Sequence, residues 1–488
     1  MENQTQQTKW SQFISLIIVF FFWGFVAASN DILIPVFKKS FELSQVQSQL
    51  VAWAFYVAYF VGSLIFFFIS LKSDILQKFG YKKTLAFGLI VSAIGAFLFV
   101  PAATSGSFGF FLAALFIVGL GFSVQQIVAN PLAIKMGDPS TGAHRLTLAG
   151  AINSLGTTIG PILLGIALFG TGEKHTELSL NDVKMPFIVL GIAFILVAIF
   201  MVYSKIEDPA KVEDEKIDEG DEKFSILKYP QLLLGMLAIF IYVGVEVSII
   251  SNLPALLHTN EFGNVLESNI APFVALYWGS LMIGRWNGGI NVFKTSKTLN
   301  LILKFVVPFI AFGIIILANT LSGKDVSSFY IYAIWILLFI LMSFLGGKNA
   351  GKTLMIFGFA GALMMIIGLF YPDKEIAKFF FISGGLFCSI MWPSIFDLAI
   401  AGLGKNTGKA SSFLIMMILG GGVIPLIQGT VCDIDLKSPE GIMGISWTHF
   451  SYVIPVVCFL YIAFYGYITP KFLKKQGIVM GETEGGGH

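Results

Sequence analysis

The chain has 488 residues, of which 56% are hydrophobic and only 12% are charged. Soluble proteins carry about 25% charged residues, so lipid must cover most of this surface. The net charge of +2 gives no reason to expect a nucleic-acid partner. The cysteines Cys388, Cys432 and Cys458 show neither metal-ligand spacing nor a pairing pattern. Composition therefore predicts an all-α polytopic membrane protein without a cofactor.

Six apolar runs in the first half are long enough to cross a bilayer, which takes about 20 residues. They cover roughly 14–37, 47–71, 83–103, 108–134, 145–169 and 186–204. The charged segment from Lys205 to Lys228 then indicates an aqueous linker. Eight further runs cover roughly 231–258, 270–290, 299–320, 328–346, 352–371, 378–402, 409–430 and 446–469. We number these fourteen predicted helices 1–14.

Basic residues are concentrated in alternate loops, such as the one between Lys72 and Lys83, and follow the last helix at Lys474 and Lys475. The excess of lysine and arginine in cytoplasmic loops places both termini and the linker in the cytoplasm. We predict a multi-pass protein of a bacterial inner membrane. Its parts are an N-terminal half at 1–204, a linker at 205–230, a C-terminal half at 231–476 and a tail at 477–488.

Short motifs recur between the halves. Gly62, in a Val-Gly-Ser-Leu stretch, has a counterpart at Gly279, and the Thr-Gly pair at Thr141 recurs at Thr407. The spacing between matching residues grows by about two helices from the first pair to the second. The pattern predicts two six-helix halves, with an inserted helix pair at about 293–350 in the second half.

Charged residues at membrane depth are rare and costly, and they mark functional sites. Asp31, beside Asn30, falls inside helix 1, and Glu246 falls near the middle of helix 7. A buried carboxylate can take up a proton or hold Na⁺, because the cation offsets the cost of burying its charge. We predict cation coupling at Asp31 and Glu246, including a possible Na⁺ site near them. The alternative is that each carboxylate only locks helix packing.

Uncharged polar and aromatic residues provide the predicted sugar ligands. Amides donate and accept hydrogen bonds, as sugar hydroxyls do, and sugar C–H faces pack on aromatic rings. The substrate-binding candidates are Asn30, Asp31, Gln125, Gln126, Asn153, Asn252, Trp278 and Trp392. The alternative is structural, since amides also join membrane helices and tryptophan is an ordinary packing residue.

Several stretches together resemble the fucose–galactose–glucose symporter family of the major facilitator superfamily. They are Asn30–Pro35, Ala129–Pro131, Arg145–Ala149 with Asn153, Trp392–Phe396 and Ser411–Gly422. The resemblance implies a major facilitator fold and coupled sugar transport. It also implies substrate and coupling roles for Asp31, a sugar contact for Asn153, and a cavity-lining role for Trp392 in place of a tyrosine.

The loop at Asp74 is similar to the superfamily's signature loop, which implies a gating role for Asp74. Arg285, at the end of helix 8, is the second predicted gating residue. The sequence departs from bacterial fucose permease at two coupling positions: Gln126 replaces a protonatable glutamate, and Glu246 replaces an amide. These departures leave both Na⁺ and H⁺ open as the coupling ion.

We therefore predict a monomeric, cation-coupled hexose importer of glucose or galactose type that works by alternating access in the lipid bilayer. A proton-coupled drug antiporter and a non-transporting sugar sensor are the alternatives. The sequence contains no nucleophile–base set, phosphate loop or metal-ligand cluster, so we do not expect an enzyme.

Overall fold

The computed structural model describes residues 8–41, 45–73, 75–169, 180, 183–208, 225–265, 267–293, 295–321, 324–347, 349–438 and 440–478, without the side chains of 27–40, 45–49, 52, 140, 159–169, 267–269, 271, 405 and 436. Within these ranges the regular secondary structure consists of α-helices and short 3-10 helices. Eleven helical segments there are long and apolar enough to cross a membrane. This confirms the prediction of a polytopic α-helical protein. The segments are Trp53–Lys72, Ile75–Ser105, Phe108–Lys135, Lys184–Tyr203, Pro230–Leu257, Lys297–Leu321, Ser327–Gly346, Ala350–Phe370, Lys374–Ile400, Thr407–Asp435 and Trp447–Lys475.

The α-helices are numbered in chain order. They are α1 Trp10–Ser40, α2 Gln45–Lys72, α3 Ile75–Ser105, α4 Phe108–Lys135, α5 Gly142–Phe169, α6 Lys184–Tyr203, α7 Pro230–Leu257, α8 Glu267–Gly289, α9 Lys297–Leu321, α10 Ala333–Gly346, α11 Ala350–Phe370, α12 Lys374–Ile382, α13 Gly384–Cys388, α14 Met391–Ile400, α15 Thr407–Met416, α16 Gly420–Cys432, α17 Trp447–Phe450 and α18 Val453–Lys475.

Polar side chains cap several helix starts. Asn349 accepts a hydrogen bond from the Lys352 backbone N–H at 2.8 Å, and Asp373 accepts one from the Glu375 N–H at 2.9 Å. These caps satisfy backbone donors that the first helical turn leaves unpaired. The element α3 begins at Ile75, before the predicted residue 83, but the non-helical Gly80, where φ is +79°, separates its first turn from the rest of the helix.

Several of the predicted helices are interrupted in the structure, among them helices 12 and 13. Helix 12, predicted at 378–402, consists of α12, α13 and α14, and the last break falls at Ser389–Ile390, just before Pro393. Helix 13, predicted at 409–430, is interrupted by the 3-10 turn Met417–Leu419 before three glycines. Proline and glycine weaken a continuous α-helix, and such breaks expose backbone groups that can bind a substrate or an ion.

The chain divides into two compact units. Unit 1 comprises residues 1–138, 149–224 and 403–419, and unit 2 comprises 139–148, 225–402 and 420–488. Each unit thus takes a short segment from the other half of the sequence: the start of α5 belongs to unit 2, and α15 belongs to unit 1. Within unit 1, the Ser411 hydroxyl donates a hydrogen bond to the Ile127 carbonyl at 2.7 Å, which fastens α15 to α4. The predicted domain limits stay predictions.

Packing inside the two units follows a similar scheme. In unit 1, α3 packs against α4 and α6; in unit 2, α11 packs against α12, α14 and α18. Both glycines of the repeated motif are in close contact with another helix, but the contacting helices differ. A Cβ at Gly62 would lie 2.1 Å from the Ser123 hydroxyl on α4, whereas one at Gly279 would lie 2.2 Å from Ile315 on α9. In unit 2, α9 therefore covers the face of α8 that carries Gly279.

Candidate functional site

A buried charge pair joins α7 and α8 in unit 2. The Glu246 carboxylate lies 3.6 Å from the Arg285 guanidinium, and the two side chains are only 13% and 16% exposed, respectively. Sequence analysis assigned Glu246 to coupling and Arg285 to a gate at the end of helix 8. The structure brings the two residues together, and both assigned roles stay predictions.

The position of Arg285 depends on a close approach between α8 and the break that follows α13. A Cβ at Gly284 would lie 1.9 Å from the Ser389 hydroxyl oxygen, so only glycine fits there. This proximity lets the Arg285 Nε–H donate to the Ser389 carbonyl at 3.4 Å. The Tyr277 hydroxyl donates to the backbone carbonyl of Glu246 at 2.6 Å and adds a second link between α7 and α8.

Aromatic rings connect the charge pair with one of the predicted sugar ligands. Tyr242 lies one helical turn before Glu246, and its ring centroid is 6.1 Å from that of Trp392 at the start of α14. Trp392 is therefore a near neighbour of the Glu246 cluster. Trp278 differs: it is 41% exposed, and its ring contact is with Tyr277 at 5.8 Å.

Asn252 belongs to a second polar network further along α7. Its Nδ2 donates to the Ser248 carbonyl at 3.0 Å, and the Cys432 thiol lies 3.7 Å from its Oδ1. The Ser248 hydroxyl donates to Gln428, whose Nε2 donates to the Ser451 hydroxyl at 3.0 Å. This network fastens α7 to α16, and it gives Asn252 partners within its own unit.

The neighbouring glutamines of α4 have different surroundings in unit 1. Gln125 is fully buried: its Oε1 accepts from Trp23 Nε1 at 2.8 Å, and its Nε2 donates to the Ser92 hydroxyl at 2.9 Å. Gln126 is half-buried and donates from Nε2 to the Tyr59 hydroxyl at 2.8 Å. Gln126 is therefore the more accessible of the two predicted sugar ligands.

Asn153 lies where α5 approaches α1. Its Nδ2 donates to the Phe20 carbonyl at 3.0 Å. A Cβ at Gly24 would lie 1.9 Å from the Asn153 carbonyl oxygen, and one at Gly156 would lie 2.2 Å from the Phe21 carbonyl oxygen. Small residues let membrane helices approach this closely, and the half-buried Asn153 amide stabilises the contact.

The general model of the major facilitator superfamily matches residues 13–426. The chain is 33% identical to a glucose/galactose transporter of Brucella abortus over 471 residues, which cover 96% of this chain and 97% of the relative. The chain belongs to the major facilitator superfamily, within its fucose–galactose–glucose symporter family. It is also 27% identical to the L-fucose-proton symporter of Escherichia coli, over 92% of this chain and 90% of that protein.

A solved major facilitator fold also superposes on the chain. The crystal structure of the transporter FucP in the outward conformation aligns with a TM-score of 0.69 at 23% identity and covers 94% of this chain and 98% of that one. Membership of this family confirms the predicted resemblance. The protein is a multi-pass membrane protein of a transporter family, whose members are not enzymes.

The remaining site predictions for this family member fall outside the described residues. They are the side chains of Asn30 and Asp31, and the whole of Asp74. Among the described residues, no group of three or more His, Cys, Asp or Glu is arranged to hold a metal ion. The Na⁺ site near Asp31 and Glu246 therefore stays a prediction.

Sequence analysis did not select Tyr59, Trp23, Tyr242 or Tyr277. Aromatic residues are common throughout this chain, at 15% of the sequence, so their type alone does not distinguish those that lie in the polar clusters. One local pattern was available: Tyr242 precedes Glu246 by four residues, so the two side chains share one helix face. A buried carboxylate also needs a counter-charge, but the sequence alone did not identify Arg285 as the partner of Glu246.

Proposed function

We propose that this protein imports a hexose of glucose or galactose type across a bacterial inner membrane, coupled to Na⁺ or H⁺. The observation that carries the proposal is the Glu246–Arg285 pair inside the membrane domain, with Tyr242 and Trp392 beside it. Intramembrane charges of this kind mark ion pathways and coupling sites. The substrate class is supported by the similarity to proteins named glucose/galactose transporters.

In this proposal, Glu246 and Asp31 bind the coupling cation. Gln126, Asn153, Asn252 and Trp392 contact the sugar, and Asn30, Gln125 and Trp278 are further candidates. The half-buried amides of Gln126 and Asn153 support this role, because an accessible amide can exchange its partner for a sugar hydroxyl. Asp74 and Arg285 act in gating.

We also propose the full architecture of fourteen transmembrane helices, with α1, α5 and α8 crossing the membrane in addition to the eleven apolar segments. Two six-helix halves carry the inserted pair α9 and α10 within the second half. The similar packing of α3 in unit 1 and α11 in unit 2 supports this arrangement. Both termini face the cytoplasm, and the protein acts as a monomer.

The test is uptake of radiolabelled glucose, galactose and fucose into proteoliposomes, with Na⁺ and pH gradients imposed separately. We expect glucose or galactose to accumulate above its equilibrium level under one of the two gradients. Liposomes without protein and liposomes without a gradient are the controls. If neither gradient drives any of the three sugars, the hexose proposal fails, and export of a cationic dye under a pH gradient would support a drug antiporter instead.

A further inference from the structure

The Glu246–Arg285 pair is a weak one by its geometry. Charge-assisted N–H···O bonds are about 2.7–2.9 Å long. The 3.6 Å separation between Arg285 Nη2 and Glu246 Oε1 is longer than such a bond, although the charges still attract each other. The guanidinium therefore neutralises the carboxylate without forming a short hydrogen bond to it. Another cation can replace it at a lower free-energy cost than in a tightly bonded pair.

Arg285 is also the charge that neutralises Glu246 in the part of the chain that the structure describes. Among the described residues, the other titratable side chains beside Glu246 are Tyr242, Tyr277 and Cys388. Phenol and thiol groups are uncharged near neutral pH. A coupling cation that joined Glu246 while Arg285 stayed in place would leave a net positive charge in a buried region, which is costly.

We propose that Arg285 is an internal counter-ion that competes with the coupling cation for Glu246. This inference rests on the proposed function and adds the residue that controls cation release. When the cation binds, Arg285 gives up the carboxylate. When the cation leaves, Arg285 returns and prevents Glu246 from remaining as an unpaired buried charge.

The break between α13 and α14 supplies a second partner for the displaced guanidinium. The Arg285 Nε–H already donates to the Ser389 carbonyl at 3.4 Å, and a guanidinium has five N–H donors in a fixed plane. Arg285 can therefore move off Glu246 while keeping an acceptor. Lysine cannot hold both partners in the same way, because its ammonium is a single point on a flexible chain.

The same cluster provides a route from the cation to the sugar. Tyr242 lies one turn before Glu246, and its ring is 6.1 Å from Trp392, the proposed sugar-stacking residue. A change at Glu246 therefore reaches the sugar contact through one intervening side chain. By thermodynamic linkage, sugar bound at Trp392 then strengthens cation binding at Glu246 by the same factor by which the cation strengthens sugar binding.

The test is the half-saturating concentration of the coupling cation in Arg285→Gln, compared with wild type. Wild-type accumulation is measured first, with the ion that drives it. Removing the competitor should lower the half-saturating concentration by about tenfold or more, since an opposite charge within 4–6 Å changes the proton affinity of a carboxylate by about 1–3 logarithmic units. Sugar counterflow at equal cation concentrations should persist, whereas concentrative uptake should fall because the cation is released slowly.

Lys378→Gln is the matched control. Lys378 is a buried cation of the same unit that pairs with Glu375 at 2.5 Å, so its removal changes the unit's charge without touching Glu246. Its half-saturating cation concentration should match wild type. If Arg285→Gln does not fold, the double variant Glu246→Gln/Arg285→Gln removes both charges. That variant should restore counterflow and lose the dependence of sugar affinity on the cation.

The outcomes separate the two proposals. If wild type accumulates hexose but Arg285→Gln keeps the wild-type half-saturating concentration, competition is wrong and the proposed function stands. Competition is equally wrong if the double variant keeps cation-dependent sugar affinity; cation-coupled hexose import then stands, but the cation binds at a site other than Glu246. If wild type shows no cation-driven uptake of any hexose, the proposed function fails, and the counter-ion role fails with it.

Discussion

The polar clusters of the two units differ in charge and in bond length. In unit 1, Gln125 and Gln126 take part in neutral hydrogen bonds of 2.8–2.9 Å with Trp23, Ser92 and Tyr59. In unit 2, Glu246 faces Arg285 at 3.6 Å. A short neutral network holds its members in fixed orientations, whereas a long charge pair can exchange partners. We infer that the Gln125–Gln126 cluster orients the sugar and that the Glu246–Arg285 cluster responds to the cation.

The largest effect is expected when the charged cluster is broken by Glu246→Gln. The substitution keeps the shape of the side chain but removes the negative charge that faces Arg285 at 3.6 Å. Breaking a buried pair typically costs about 3–5 kcal/mol, and the variant also lacks the proposed cation ligand. We expect gradient-driven accumulation to disappear and the unfolding midpoint in detergent to fall.

Glu207→Gln is the control for this variant. Glu207 pairs with Lys9 in a solvent-exposed position, and the hydrogen bond from Lys9 lowers the pKa of the Glu207 carboxyl below its usual range. Exposed pairs contribute about 0–1 kcal/mol, so this variant should keep both accumulation and stability. Normal accumulation by Glu246→Gln would remove the coupling role from unit 2.

A smaller effect is expected when the neutral cluster is broken by Gln125→Ala. The change leaves the Trp23 Nε1–H and the Ser92 hydroxyl without their amide partner in a buried position. An unsatisfied buried group costs about 1–3 kcal/mol, so stability and uptake rate should fall. The half-saturating cation concentration should not change, because no charge is removed.

The exposed Gln77 supplies the matched control, since Gln77→Ala removes an amide from the surface of the same unit. Purified variants should be compared by thermal unfolding and by uptake at several cation concentrations. A shift of the cation dependence in Gln125→Ala would show that the neutral cluster also takes part in coupling, and the division of roles between the two clusters would fail.

Much of the fold was predictable because lipid imposes a simple rule: a crossing helix needs about 20 apolar residues. The run that became α7 was predicted to within one residue at each end. The exact place of the break at Ser389–Ile390 could not be predicted, because Pro393 marks a weak point of the helix but not the residue at which the chain leaves the helical path. Where the chain leaves the helical path depends on which neighbour covers the exposed backbone, and here that neighbour is Arg285.

The site was predictable by residue type but not by pairing. Glu246 stood out because a charge in an apolar run is costly, whereas Arg285 was assigned to a gate at the end of helix 8 by its sequence position. Arg285 reaches Glu246 because Gly284 lets α8 approach the break. Such an approach depends on two helices that are distant in sequence, and no local pattern encodes it.

The smallest effect is expected from Gln126→Glu, which adds a carboxylate to the neutral cluster of unit 1. Gln126 donates to the Tyr59 hydroxyl at 2.8 Å, and that hydroxyl can turn and donate to a carboxylate instead, so the fold should be kept. We expect the uptake rate at neutral pH to change by less than about tenfold, the equivalent of one hydrogen bond. Gln126→Leu, which removes the bond without adding a charge, is the control.

The informative measurement is the dependence of uptake on external pH in Gln126→Glu, alone and combined with Glu246→Gln. If coupling needs the carboxylate of unit 2 with Arg285 as its competitor, the added carboxylate changes the pH profile but does not restore accumulation to the combined variant. Restored accumulation would mean that a carboxylate in either unit suffices. Coupling would then work with a carboxylate in either cluster, and Arg285 would be needed only when that carboxylate is Glu246.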